Sequence, residues 1–108
     1  MNIDIHQFLE SEADYVSSLI QKSLMGLIGQ SYDEQTIKIL GSFYQAEHIL
    51  YYSKLDDMFT AKIDSEIVGT ISLYGDRIRN LFILPEYQGK GIGRLLMDFI
   101  ENYAKAKN

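Results

Sequence analysis

Three glycines in a span of five residues, Gly89, Gly91 and Gly93, stand where an amphipathic helix is expected to begin. Glycine costs about 0.5–1 kcal/mol relative to alanine inside a regular element, so such a cluster indicates that bare backbone is needed there. The free N–H groups at a helix N-terminus carry partial positive charge and form a nest for anions. The residue types therefore predict a loop that binds phosphate through its backbone.

Basic side chains gather around the same glycines. All three arginines of the chain, Arg77, Arg79 and Arg94, lie between positions 77 and 94 together with Lys90, although the formal net charge of the whole chain is −5. A local cationic patch in an acidic protein is expected where a polyphosphate docks. Two alternatives stay open: the glycines form a tight turn without a ligand, or the charges are ordinary solvated surface groups.

The glycine loop is flanked by a predicted strand and a predicted helix. The apolar run from Ile78 to Leu84 ends at Pro85, the only proline, which is typical of a buried strand. After the glycines, apolar residues recur at the spacing of an amphipathic helix. That stripe consists of Ile92, Leu95, Leu96, Phe99, Ile100 and Tyr103.

Two common phosphate loops do not fit this stretch. A Walker loop ends in Gly-Lys-Ser/Thr, but Lys90 is followed by Gly91. The dinucleotide fingerprint G-x-G-x-x-G starts at Gly89 but meets Arg94 where its third glycine belongs. The loop therefore belongs to neither class.

The run Gln88-x-x-Gly91-x-Gly93, after a hydrophobic strand and a Pro-x-Tyr connection, resembles the acetyl-CoA signature of the GNAT N-acetyltransferase superfamily. The resemblance implies acetyl-CoA as cosubstrate, its pyrophosphate held by backbone N–H groups of the loop and its pantetheine arm paired with the strand. The cofactor-binding residues implied in this way are Leu81, Phe82, Ile83, Gln88, Gly89, Lys90, Gly91, Ile92, Gly93 and Arg94.

The resemblance also implies direct transfer of the acetyl group to an amine, with the thioester carbonyl polarised by a strand N–H near Ile83. The chain has no cysteine to carry a covalent acetyl group. Many relatives place a catalytic glutamate early in this strand, where Arg79 and Asn80 stand here. No catalytic residue is assigned; Tyr74 and Asp76 are nearby candidates, although such residues usually have structural roles.

Length and composition limit the other possibilities. A chain of 108 residues allows one domain, 1–108. No apolar run approaches the roughly 20 residues of a membrane span, and the start does not resemble a signal peptide, so a cytoplasmic location is expected. The acidic charge argues against nucleic-acid binding. His6 and His48 stand alone, so no metal site is expected.

The N-terminal half predicts one strand followed by helices. Alternation over residues 2–8 predicts a short strand, and Ser11-Glu12-Ala13-Asp14 resembles a capping box opening a helix that stops at Gly29. The capping pattern recurs at Ser31–Glu34 before a second helical segment. The stretch Ala46–Leu55 is ambiguous between helix and strand, and helix is favoured.

From Met58 the apolar period changes to two, which predicts an antiparallel hairpin turning at Asp64–Glu66 and a further strand after Gly75-Asp76. The expected order is strand, two helices, three strands, helix. The predicted fold class is α+β, layered, with a mixed, mostly antiparallel sheet of about four strands flanked by helices. This order resembles the first two-thirds of a GNAT domain, which implies a chain truncated after the helix that follows the acetyl-CoA loop.

Truncation would leave the strand Arg79–Leu84 as a sheet edge with unpaired backbone groups and no charge at 81–84. We therefore expect a homodimer, or a separate C-terminal chain, to cover this edge. Two functions stay open. One is an N-acetyltransferase acting on a small-molecule or peptide amine; the other is a non-catalytic CoA-binding or interaction module left after loss of the acceptor-site half.

Overall fold

The computed structural model describes residues 2–107, which form four strands and four α-helices. Two short 3-10 turns, at Glu10–Glu12 and Pro85–Tyr87, join elements. In chain order the elements are β1 (Asp4–Gln7), α1 (Ala13–Met25), α2 (Glu34–Ser42), α3 (Ala46–Leu55), β2 (Asp57–Ile63), β3 (Glu66–Tyr74), β4 (Arg77–Ile83) and α4 (Ile92–Lys107).

The strands form one sheet in the order β1-β2-β3-β4, and every neighbouring pair is antiparallel. The layered α+β class is confirmed, and the parallel component of the expected mixed sheet is not found among residues 2–107. The β2–β3 turn falls at the predicted polar residues, with Asp64 and Ser65 at φ 49° and 69°. Positive φ at both central residues suits a two-residue hairpin turn.

The helical part contains three helices before β2 where two were expected. The ambiguous stretch 46–55 is helical, as predicted, but it is separate from α2 because the chain turns at 43–45. There the Tyr44 N–H donates to the Gly41 carbonyl at 3.0 Å. Helix α1 ends at Met25, before the predicted stop at Gly29, which adopts φ 83° in the following loop.

Helix α4 packs on one face of the sheet, and α1 packs on the other. Ile92, Leu96 and Ile100 are fully buried, whereas Leu95, expected in the same stripe, is 46% exposed. The stripe is therefore narrower than predicted. At Gly69 the layers approach so closely that an added Cβ would lie 3.0 Å from Ile83 Cδ1 and 3.1 Å from Leu96 Cδ1.

The C-terminal end of α4 is tied to the start of β2. The Tyr103 hydroxyl donates to Asp57 Oδ2 at 2.9 Å, and Lys107 Nζ donates to the same oxygen at 2.6 Å. The hydrogen bond from Lys107 lowers the pKa of Asp57. The helix that carries the glycine loop at its beginning is therefore fixed to the sheet at its far end.

Candidate functional site

The glycine loop has the backbone shape that its sequence predicts. Gly89 and Gly91 adopt φ 77° and 85°, in the left-handed region that disfavours a Cβ. A Cβ built on Gly89, Gly91 or Gly93 would have no neighbouring atom within 4 Å. The glycines therefore leave one side of the loop open, and no packing contact accounts for them.

The loop presents a run of backbone donors. Among residues 2–107, no acceptor bonds the N–H groups of residues 89–94. The next N–H, of Leu95, donates to the Gly91 carbonyl at 3.1 Å and closes the first turn of α4. No acidic residue lies in that turn. Unpaired N–H groups at the positive end of a helix dipole can bind a phosphate, so the loop fits the group that its sequence predicts.

Two of the four basic residues of the predicted patch lie at this loop. Lys90 and Arg94 are exposed, and Arg94 Nε lies 3.7 Å from Asp98 Oδ1. Arg77 is the first residue of β4, at the opposite end of the strand from the loop, and Arg79 pairs with a buried carboxylate. The expectation of one patch made by all four basic residues is therefore wrong.

Strand β4 has a free edge, since it pairs only with β3 within residues 2–107. The Leu84 N–H donates to the Val68 carbonyl at 2.9 Å. In an antiparallel pair the direction of the peptide groups alternates, so those of Phe82 face β3 and those of Ile83 face the free edge. Gln88 Nε2 donates to the Ile83 carbonyl at 3.2 Å. Leu81 is 38% exposed beside the same edge.

A β-bulge interrupts β4 before these residues. The register with β3 shifts by one residue between Thr70 and Ser72, so that Asn80 and Leu81 both face Ile71. Asn80 adopts φ 58°, a conformation that asparagine tolerates better than most residues. Bulges bend a strand and redirect its side chains.

Tyr44, from the turn between α2 and α3, contacts the bulge. Its hydroxyl donates to Asn80 Oδ1 at 3.0 Å, and its ring packs edge-on against Phe82 with centroids 5.4 Å apart. Burial raises the pKa of Tyr44, which keeps the hydroxyl a donor at neutral pH. This contact joins residues 36 positions apart, so no local pattern in the sequence could have indicated it.

Arg79 forms a bidentate ion pair with Asp56, whose side chain is fully buried. Arg79 Nε and Nη2 donate to the carboxylate at 2.8 and 2.6 Å, and this bonding raises the pKa of Arg79. The guanidinium also lies 4.4 Å from the centre of the Tyr74 ring. Tyr74 therefore has a structural contact, and Asp76 lies exposed in the β3–β4 turn. Neither is brought to the glycine loop.

A cavity of about 670 Å³ lies between α1 and the β2–β3 turn, and Leu84, directly after β4, forms part of its wall. Its most buried charge, Glu12, already has partners: Lys62 Nζ at 3.0 Å and His6 Nε2 at 3.1 Å. Burial opposes ionisation of Glu12, but the Leu9 N–H and these two side chains hold its pKa below the ordinary value. Two charged side chains that line this cavity, Glu12 and Lys62, pair with each other, and a third, Glu66, accepts from the Tyr87 hydroxyl at 3.2 Å. The glycine loop, with its unpaired N–H groups, is therefore the better candidate for an anion site.

Among residues 2–107, no group of three His, Cys, Asp or Glu side chains is placed to hold a metal ion. None of the helices there combines the length and the apolar character needed to cross a membrane. His6 instead lies 3.1 Å from both Glu12 Oε2 and Thr60 Oγ1, in a structural contact.

Comparison with known proteins agrees with this geometry. The model of the acetyltransferase (GNAT) domain matches residues 54–108, which include β2, β3, β4, the glycine loop and α4. No curated protein matches the sequence significantly. The match to the domain model covers just over half of the chain.

Solved structures extend the likeness to the N-terminal helices. PaiA N-acetyltransferase from Thermoplasma acidophilum, solved with coenzyme A, is 24% identical with a TM-score of 0.85, and the match covers 99% of this chain and 74% of that one. A GCN5-related N-acetyltransferase from Rhodopseudomonas palustris is 21% identical with a TM-score of 0.90, and the match covers 99% of this chain and 68% of that one. A GNAT acetyltransferase from Brucella melitensis, solved with acetyl-CoA, is 18% identical with a TM-score of 0.70, and the match covers 99% of this chain and 71% of that one. These likenesses show a shared fold, and with the domain match they show that this chain belongs to the GNAT acetyltransferase family.

Proposed function

We propose that this protein binds acetyl-CoA and transfers its acetyl group to an amine. The observation that carries the proposal is the run of unpaired N–H groups over residues 89–94, at the start of a 16-residue helix. These groups would hold the pyrophosphate, with Lys90 and Arg94 as exposed counter-charges. Family membership supports the cosubstrate, since related proteins have been solved with coenzyme A and with acetyl-CoA.

The pantetheine arm would run along the free edge of β4. Alternation makes the peptide groups of Ile83 the donors and acceptors available to its amides, as in addition of a strand to a sheet. Leu81 would contact the arm through its half-exposed side chain, and Phe82 would support the strand from the helical side. Gln88, bonded to the Ile83 carbonyl, would join the strand to the phosphate loop.

Acetyl-CoA supplies the activated thioester when bound. The amine nitrogen forms a bond to the carbonyl carbon, the C–S bond breaks, and CoA leaves as a thiol with the proton that the amine has lost. A backbone N–H near Ile83 would polarise the carbonyl. The chain has no cysteine, so we expect direct transfer without an acetyl-protein intermediate.

Calorimetry and thermal unfolding with acetyl-CoA and CoA test the binding. Ligand at 100 times its dissociation constant stabilises the folded state by about 2.7 kcal/mol, which in a domain of this size raises the melting temperature by roughly 10–20 °C. A saturating titration with neither heat nor a shift in melting temperature would overturn the proposal.

Incubation with labelled acetyl-CoA, first without an acceptor and then with a panel of amines, tests the chemistry. We expect no labelled protein and the release of CoA only when a suitable amine is present. A stoichiometric acetyl-protein that passes its label to an amine would contradict direct transfer.

A second candidate is a protein that binds CoA without transferring an acetyl group. It is favoured by the hydrogen bonds of two polar residues on β4, because Arg79 is bonded to Asp56 and Asn80 is bonded to Tyr44. Neither can accept a proton from an amine. CoA binding without turnover across the amine panel would support this alternative.

We also propose that a strand from another polypeptide, most simply a second copy of this chain, pairs with the first half of the free edge of β4 and diverges from it before Ile83, where the pantetheine arm would run. The unpaired edge and the exposed side chains of Leu81 and Leu95 support this, because uncovered edges promote association. Light scattering at micromolar concentration should show a dimer, and Leu81→Lys should weaken it. A ligand-free monomer would contradict it, whereas copurification of a different chain would identify another partner. The cytoplasmic location stays a prediction.

A further inference from the structure

The bulge in β4 decides which way the strand directs its side chains. Arg79 and Phe82 are three positions apart, and in a regular strand such residues point to opposite faces of the sheet. Here both contact the α2–α3 side, Arg79 through Asp56 and Phe82 through the ring of Tyr44. The extra residue at the bulge makes this possible.

The bulge has one side-chain support among residues 2–107: the hydrogen bond from the Tyr44 hydroxyl to Asn80 Oδ1. Tyr44 is itself held by helix α1, since its backbone carbonyl accepts hydrogen bonds from Ser17 Oγ at 2.7 Å and from Gln21 Nε2 at 3.3 Å. A continuous set of contacts therefore runs from α1 through Tyr44 to Asn80. It ends at the one residue of β4 that has a left-handed backbone.

We propose that Tyr44 and Asn80 are positioning residues, which hold the bulge and thereby aim the peptide groups of Ile83 at the pantetheine arm. Ile83 lies three positions after Asn80, on the stretch of β4 that the bulge bends away from a regular strand. The proposal rests on acetyl-CoA binding at this edge. It assigns the pair no contact with the phosphate loop.

Two ligands distinguish an effect on binding at the edge of β4 from an effect on binding at the glycine loop. CoA carries both the pyrophosphate and the pantetheine arm, whereas adenosine 3′-phosphate 5′-diphosphate carries the phosphates alone. Tyr44→Phe removes only the hydroxyl, and Asn80→Gly keeps the left-handed backbone but removes the acceptor. We expect both variants to bind CoA about tenfold more weakly and to bind the phosphate fragment as the wild type does.

Two further variants are matched controls. Tyr52→Phe removes the hydroxyl of a neighbouring tyrosine, which donates to the Phe43 carbonyl at 3.0 Å and not to Asn80. It should leave both affinities unchanged. Asn80→Asp keeps an acceptor oxygen and tolerance of positive φ, so it should retain most of the CoA affinity that Asn80→Gly loses.

The result that would overturn the inference is equal weakening of the two ligands, or no weakening of either, in Tyr44→Phe and Asn80→Gly. If Asn80→Gly does not fold, Tyr44→Phe decides, because the loss of one hydroxyl leaves the ring packing intact. Failure of the proposed function gives a different result: the wild-type protein itself would then bind neither ligand. Amide hydrogen exchange at residues 81–83 adds a readout without ligand, and we expect faster exchange in both variants but not in Tyr52→Phe.

Discussion

The two ends of β4 are built in opposite ways. Beyond its last residue, the glycine loop presents bare backbone, and added side chains would meet open space. In its first half, Arg79 and Asn80 are bound by side chains from Asp56 and Tyr44. A site made of backbone is specified by the residues of the loop itself, whereas a site held by distant side chains depends on the whole fold. Four predictions, from the largest expected effect to the smallest, can sharpen or break this contrast.

The loop should be intolerant of a side chain although it has room for one. Gly91→Asp should weaken CoA binding by at least about 100-fold, because the carboxylate would face the pyrophosphate and φ 85° disfavours a Cβ. Calorimetry measures the loss. Gly75→Asp is the control: Gly75 also has a left-handed backbone, φ 62°, with open space around it, but it lies in the β3–β4 turn. Equal loss in both variants would mean that backbone strain alone acts.

Substitutions that remove the support of the first half of β4 should lower the stability of the folded protein. Asp56→Asn removes the charge that pairs with Arg79, and we expect the free energy of unfolding to fall by about 2–3 kcal/mol. The adjacent Asp57→Asn should cost less, since Lys107, its partner, has a side chain that is 54% exposed. Urea unfolding of both variants measures the difference. A larger loss at Asp57 would contradict the assignment of Asp56 as the buried anchor.

Two glycine-to-alanine changes should have opposite signs. Gly69→Ala should destabilise the protein by about 1–3 kcal/mol, because its Cβ would press on Ile83 and Leu96. Gly93→Ala, in the first turn of α4, should stabilise the free protein by up to about 1 kcal/mol while weakening CoA binding. Thermal unfolding with and without CoA separates the two effects. A Gly93→Ala protein that binds CoA more tightly would contradict the loop assignment.

The smallest expected effect concerns pH. The folded-state pKa of Glu12 lies below its ordinary value because hydrogen bonds from the Leu9 N–H, Lys62 and His6 outweigh burial. Its contribution to stability is therefore complete above the pKa that Glu12 has in the unfolded chain, and it is lost as the pH falls through the lower folded value. In Glu12→Gln, the urea concentration at the midpoint of unfolding should therefore change less between pH 6 and pH 3 than it does in the wild type. Glu10→Gln, at an exposed neighbour, should not show this difference.

The contrast also explains how much the sequence could predict. Glycine spacing, the strand before it and the apolar period after it are local, so the loop and its flanking elements were predicted where the structure has them. The period of two likewise placed both hairpin turns. The exposure of Leu95 was missed because a helical period fixes a stripe but not the width of the surface that covers it.

The support of β4 could not be predicted in the same way. Asp56 and Asp57 are adjacent and chemically identical, yet one is buried under Arg79 and the other bonds Tyr103. Only the tertiary fold distinguishes them. The assumed cluster of arginines failed for the same reason: residues near in sequence are separated by the length of an extended strand, about 3.3 Å per residue.

The meander order of the sheet bears on how the chain folds. Turns of two residues join β2 to β3 and β3 to β4, whereas β1 reaches its partner only when Asp4 meets Lys62. Closing a long loop costs more entropy than closing a short one, so we expect the three C-terminal strands to pair first and β1 to join last. Pulsed hydrogen exchange during refolding would contradict this if β1 were protected before β4. In this order the refolding chain acquires its glycine loop early, and the contact of Tyr44 with Asn80 is among the last to form.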